Sequence, residues 1–413
     1  MREELPVTSR TRNARLASLA LPGLAAAFGA ALAGALAGSP AATSRESPPR
    51  DGDPVAIGTY RVIESCALGE TRRLLIHLPR GYEGSAVAYP VLYHSYGSYV
   101  EGYYADAVSA LASLADGGRA PQMILVGIDN LDRYRDLRPL HQDGTPAGIE
   151  NYTRFLVEEV FPFVEANYRT ARYRLLAGPQ AGAVFGLATL QSRPELFDAF
   201  ILDNPFTSPP NTALLLKQAA AFYAKDGPLR KFCYLAHGAA NEPPECAAAV
   251  TRLVELAEPA RARGFVLQLH DLTGNDAFIP PLPLEDGLRA LFADASVPHG
   301  RRVFGELAEI EFYYACLSVR YGYAMAPPEF VMTLAADQLL QRGETAKAVQ
   351  ILERQTALYP GLLNGWWRLA GVAAERGDAA RAIELYRHCI ALDPSVRNFV
   401  ERRIVALEAA AAK

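Results

Sequence analysis

Arg174-Leu175-Leu176-Ala177-Gly178-Pro179-Gln180-Ala181-Gly182-Ala183 is the stretch on which the reading of this chain turns. An apolar run of strand character meets a Gly-x-x-x-Gly spacing and passes into a helical segment, Gln180–Gln191. Small residues at 178 and 182 suit a sharp strand-to-helix turn, because they let the two elements approach. The same alternation extends on both sides. Tyr60–Glu64 and Thr71–Leu78 alternate as paired early strands, with Leu74, Ile76 and Leu78 on one face. Pro90–His94, Met123–Ile128, Ala199–Leu202, Phe232–Ala236 and Val266–His270 are short apolar runs that suit buried strands. Helices are expected at Ala105–Ala115, Asn151–Asn167, Thr212–Ala224 and Ala247–Arg263. Phe155, Val157, Val160, Phe161 and Val164 form the apolar face of the second. The class is therefore α/β, with a mostly parallel sheet and helices on both faces. Ligands of such sheets sit beyond the carboxyl ends of the strands.

Composition narrows the field. Of 413 residues half are hydrophobic and 21% charged, which excludes a disordered chain. Lys and Arg number 41 against 45 acidic residues, so no basic excess points to nucleic acid. Five cysteines in this length exclude a disulfide-stapled scaffold. No cofactor is implied, and no His/Asp spacing speaks for a metal.

Residues 1–50 form a separate segment. Arg10, Arg12 and Arg15 precede an uncharged run, Leu16–Ala37, and small residues follow. This pattern reads as an export signal with a cleavage site near Ala35-Leu36-Ala37. An uncleaved membrane anchor over 16–37 and a plain Ala/Gly-rich tail are the alternatives. The expectation is an exported chain, periplasmic or secreted. Export would allow Cys233 and Cys246 to pair, although buried inert thiols are favoured.

The other end repeats. Gly343 and Gly377, Ala348 and Ala382, and Pro360 and Pro394 are each 34 apart, the period of tetratricopeptide repeats. Two copies are expected, at 329–362 and 363–396. Gly305–Val319 and Val396–Ala411 are read as helices completing the stack, because two repeats seldom stand alone. Trp366 is read as core, and Trp367 is open between core and a partner site. The organisation is then a leader over 1–50, an α/β domain over 51–297 and a small all-α repeat domain over 298–413.

The central turn has the form of a nucleophile elbow, where a strained central residue carries the attacking atom. Its neighbourhood resembles the putative-esterase family of α/β hydrolases, which includes enterochelin-esterase and esterase-D-like enzymes. The likeness rests on Tyr89-Pro90-Val91-Leu92-Tyr93, on Val126-Gly127-Ile128-Asp129-Asn130, and on Arg133-Tyr134-Arg135-Asp136-Leu137-Arg138-Pro139. Phe161-Pro162-Phe163, Tyr168-Arg169-Thr170 and Arg193-Pro194-Glu195-Leu196-Phe197-Asp198 extend it, and Asp286-Gly287-Leu288 matches the start of the last helix. The stretch from Phe312-Tyr313-Tyr314 to Pro327-Pro328 resembles a tail found on some members. The resemblance implies an α/β-hydrolase sheet and serine-esterase chemistry.

This sequence departs from that chemistry in two slots. The family elbow reads G-H-S-x-G-G, and here Pro179 and Gln180 replace the His and the nucleophilic Ser. Ala277 stands in the slot of the catalytic His, whereas Glu242 fits the acid slot. A carboxamide has no removable proton near neutral pH, and alanine accepts none. Gln180, Glu242 and Ala277 are thus vestigial slots. Ser95, Tyr96, Gly97 and Ala181 are the candidate oxyanion and pocket residues. Asn130, Arg133, Arg135, Asp136 and His94 are candidates for ligand contact. Arg133, Arg135 and Arg138 either grip an anion or brace the loop through Asp136, and bracing is favoured. His94-Ser95-Tyr96-Gly97 superficially resembles an elbow but falls where the oxyanion loop belongs. His237 and His270 read as satisfied strand-end residues. The expected function is a pseudo-hydrolase that binds a small ligand or a protein partner. An active ester or thioester hydrolase with a non-standard site, or a repeat-based scaffold, are the alternatives. Membrane contact is expected only through the anchor.

Overall fold

The structure is a computed structural model and describes residues 51, 56–96, 100–206, 208–238, 244–272, 281–297 and 304–411. All of these belong to one compact unit, Pro48–Lys413. The leader and the slots Gly97, Glu242 and Ala277 lie outside the described residues.

Eight strands form one sheet: β1 Thr59–Ser65, β2 Glu70–His77, β3 Tyr89–His94, β4 Ile124–Ile128, β5 Thr170–Pro179, β6 Ala199–Asp203, β7 Phe232–His237 and β8 Val266–Asp271. Their order across the sheet is β1-β2-β4-β3-β5-β6-β7-β8. β1 pairs antiparallel with β2, and β2 antiparallel with β4; the pairs from β4 through β3 to β8 are parallel. Every residue of β3, β4 and β7 is buried, as helices on both faces require.

The helices are α1 Ala105–Asp116, α2 Arg133–Asp136, α3 Ile149–Phe155, α4 Phe161–Asn167, α5 Ala181–Ser192, α6 Pro209–Tyr223, α7 Pro244–Ala257, α8 Pro281–Leu291, α9 Leu307–Tyr321, α10 Glu329–Gln341, α11 Thr345–Leu358, α12 Leu363–Glu375, α13 Ala379–Leu392 and α14 Arg397–Ala411. A π turn, Leu156–Val160, joins α3 to α4 where one continuous helix is expected. Successive side chains of each strand feed opposite faces. Val91 and Tyr93 enter a core with α3, α4 and α5, and Tyr93 packs edge-on against Phe161 at 4.9 Å. Leu92, Leu125 and Leu175, adjacent across three strands, enter the other core with α1 and α8.

That second core continues without a break into α9–α14. Tyr173 on β5 meets Tyr323 at 5.0 Å and Tyr321 at 6.2 Å, docking the end of α9 on the sheet. A second attachment is made by backbone. The Ala86 N–H donates to Leu358 O at 2.9 Å, and the Gly361 N–H to Gly84 O at 2.8 Å. A Cβ on Gly361 would lie 2.5 Å from Gly84 Cα, so side chains are excluded there. The strap joins the loop before β3 to the end of α11, at the amino edge of the parallel strands.

α10 and α12 span 13 residues each, α11 and α13 span 14, and each pair is offset by 34 positions. Trp367 stacks on Phe399 of α14 at 5.5 Å, with Arg403 above it at 5.3 Å, so it packs within the helices. The Trp366 Nε1–H donates to Pro360 O at 2.9 Å. No disulfide joins Cys233 to Cys246, and the Cys246 thiol instead donates to Phe206 O at 2.7 Å. Burial pushes the Cys233 thiol up to about 12 and Cys389 up to about 11, and both remain protonated.

Replacing Gly361 by Ala forces two backbones apart. The expected cost is about 1–3 kcal/mol, the usual range for overpacking, read as a lower urea midpoint at unchanged slope.

Candidate active site

β5 ends at Pro179 and α5 begins at Ala181, so Gln180 alone makes the turn. Its backbone lies at φ 48°, ψ −111°, a region that costs a non-glycine residue about 1–3 kcal/mol. Surrounding bonds hold it there. The Gln180 N–H donates to Asp203 O at 2.7 Å, and its carbonyl accepts from the Val184 N–H at 2.9 Å. The elbow backbone therefore persists with a carboxamide at its apex.

The two glycines have a further, more local reason. An added Cβ on Gly178 or on Gly182 would lie 2.0 Å from Ser95 Oγ. Ser95 is 1% exposed and fills the space between them. Its N–H donates to Ala177 O at 3.1 Å, and its hydroxyl lies 3.4 Å from the same oxygen. The Tyr96 N–H donates to His94 Nδ1 at 3.3 Å. These contacts engage the N–H groups of Ser95 and Tyr96 within the chain. The Ala181 N–H opens α5 and has no acceptor within the helix. His94 is buried. Burial holds its imidazole down at about 4, and the neutral ring accepts the Tyr96 bond.

The loop after β4 is fixed by charge. Asn130 Nδ2–H donates to Ser95 O at 2.5 Å, tying this loop to the one after β3. Asp132 caps α2, accepting from the Tyr134 and Arg135 N–H groups at 3.1 and 3.0 Å. Arg72, 1% exposed, pairs with Asp136 at 2.5 Å and also with Glu70. Arg135 reaches Asp136 at 2.7 Å and Glu70 at 2.6 Å. Arg135 and Asp136 are therefore braces, as is Asn130, and none of the three lines the cleft. Arg133 leans over the Tyr134 ring at 4.7 Å and the Tyr96 ring at 5.7 Å.

The cleft opens at the elbow. It encloses about 410 Å³ and is lined by Tyr134, Arg138, His141, Gln142 and Gln180. Asn211 clamps its far wall: its side chain accepts from the Leu140 N–H at 3.0 Å and donates to Leu140 O at 2.9 Å. A bridge between Leu140 and Pro146 closes the small loop carrying His141 and Gln142. Tyr134, His141 and Gln142 are absent from the sequence expectation. Their signal was position alone, on a loop leaving the carboxyl end of a central strand. Among the described residues the lining offers an amide pair, a guanidinium, an imidazole and a phenol, with no aliphatic hydroxyl or thiol.

Residues 65–242 match the family model described as "Putative esterase". The match supports the esterase family. A solved IroE-like serine hydrolase from Shewanella oneidensis is 25% identical, with a TM-score of 0.57, covering 72% of this chain and 98% of its own. A solved uncharacterised protein from Capnocytophaga ochracea, 16% identical, shares the fold with a TM-score of 0.51 over 85% of this chain and 99% of its own. No curated protein sequence matches. The esterase-like sheet thus has hydrolase relatives, while its elbow carries Gln180.

Two outcomes follow from this packing. Gly182→Ala is expected to lower stability by about 1–3 kcal/mol, and adding Ser95→Gly to recover most of it, in denaturant titrations of both. The second concerns pH. The His94 value is depressed from 6.5 to about 4 on folding, so its contribution is full above pH 6.5 and is lost as pH falls towards 4. The difference in unfolding free energy between wild type and His94→Gln should shrink over that window, by roughly 3 kcal/mol.

Proposed function

We propose that this chain is a catalytically degenerate member of the esterase group, which holds a small ligand at the elbow without cutting it. The observation that carries the reading is Gln180 at the apex, in backbone geometry suited to a nucleophile. An amide nitrogen is a poor nucleophile at carbon because its lone pair is delocalised. The nearest serine in sequence resemblance, Ser95, is packed between two glycines. The Ala277 replacement points the same way, since an esterase needs a proton acceptor in that slot. The paired helices of 34-residue offset fit tetratricopeptide repeats and supply a second surface for a protein partner. The basic, then apolar, leader fits an exported chain, with residues 16–37 as signal or anchor.

A second reading is favoured by one observation. His141 shares the cleft with Gln180, and an imidazole there could activate a water for ester or thioester hydrolysis.

The wild-type chain should show no labelling by a fluorophosphonate probe and no hydrolysis of p-nitrophenyl acetate above that of Gln180→Ala. Gln180→Ser with Ala277→His should gain labelling. Wild-type turnover that disappears in His141→Ala would replace the binding reading with the hydrolytic one.

A further inference from the structure

Among the described residues two guanidiniums are buried, Arg72 and Arg138, and they differ in their partners. Arg72 is held by two carboxylates, and Arg135, although half-exposed, is held by the same two. Arg138 is 5% exposed and has no ion pair or hydrogen bond among the described residues. Its Nε is buried without an acceptor. The Tyr134 ring covers one face of the guanidinium at 4.2 Å, and Arg133 adds a like charge that acts against it. Burial accordingly pulls its pKa down, although a guanidinium stays charged at any working pH. A charge removed from water and left uncompensated is strongly unfavourable, and stable folds pair or hydrogen-bond such groups.

The free side of Arg138 faces the cleft at the elbow. Among the described residues no carboxylate lines that cleft, and the Gln180 carboxamide on its wall makes no hydrogen bond. The site thus presents a positive fork and an amide, with no partner among the described residues.

We infer that this cleft binds a small monocarboxylate, whose two oxygens take the in-plane donors of Arg138 beside the Gln180 amide. The fork of a guanidinium matches a carboxylate edge-on, and one uncompensated positive charge balances one negative charge. Tyr134, 44% exposed, lines the cleft beside that fork and leaves the body attached to the carboxylate room to extend. A volume of about 410 Å³ leaves room for such a body. Unlike Arg135, Arg138 makes no ion pair or hydrogen bond among the described residues that would be lost from the loop network if the charge were removed; only its contact with the Tyr134 ring would go. The inference rests on the binding reading proposed above and names its ligand class.

The test uses the full chain, with 4-fluorobenzoate followed by fluorine NMR, and 4-fluorobenzamide as its uncharged counterpart. Saturable binding of the benzoate is expected, with the benzamide at least about tenfold weaker, as loss of a charge-assisted pair implies. Arg138→Met should weaken the benzoate by at least about tenfold while leaving the melting temperature equal or higher, because an uncompensated charge is gone. Arg138→Lys keeps the charge but not the fork, and should lie between the two. Equal binding of benzoate and benzamide, no binding of either, or unchanged benzoate affinity in Arg138→Lys and Arg138→Met would overturn the inference. Hydrolysis of the uncharged p-nitrophenyl acetate by wild type would instead sink the non-catalytic reading and leave the anion assignment standing.

Discussion

The seating of Ser95 between Gly178 and Gly182 is the contact on which the site depends. It joins the end of β3 to the turn after β5, and it demands that both flanking positions lack a side chain. Asn130 extends the join by holding the Ser95 carbonyl from the loop after β4. Three strand ends are thereby locked together at the carboxyl edge. With them locked, Gln180 has little freedom to leave its strained backbone. Packing alone is enough to maintain the strain at Gln180.

Charge divides the neighbouring loop into two parts. Up to Asp136 every buried charge is satisfied, through Arg72, Glu70, Arg135 and Asp136. Two residues later Arg138 is buried and has no counterion among the described residues. The first part makes the loop rigid at a cost already met within the chain. The second leaves a polar demand directed outward. A rigid frame carrying one unsatisfied group is how selective binding sites are commonly built, since little ordering is required when the ligand arrives.

Much of this was legible in the residues. All eight strands coincide with apolar or alternating runs, because buried strands need such runs wherever helices cover both faces. The elbow was legible because Gly-x-x-x-Gly after a strand has few other uses. The side-chain geometry was not. His94, Ser95 and Tyr96 read as pocket residues from their place in the chain, yet a one-residue alternation at a strand end decides which face each takes. Arg133, Arg135 and Arg138 look equivalent as letters; only the depth and partners of each guanidinium separate a brace from a binding group. His141 and Gln142 drew no notice, since nothing in their spacing reveals that Asn211 pins their loop beside the elbow.

The backbone strap between Gly84 and Gly361 has one more implication. It lies at the opposite rim of the sheet from Gln180, with β3 and β5 running the full distance between them. The helical hairpins are thereby tied down at the end of the sheet remote from the mouth of the cleft. The hydrogen-bonded strands are the stiff spacer that keeps the two rims apart.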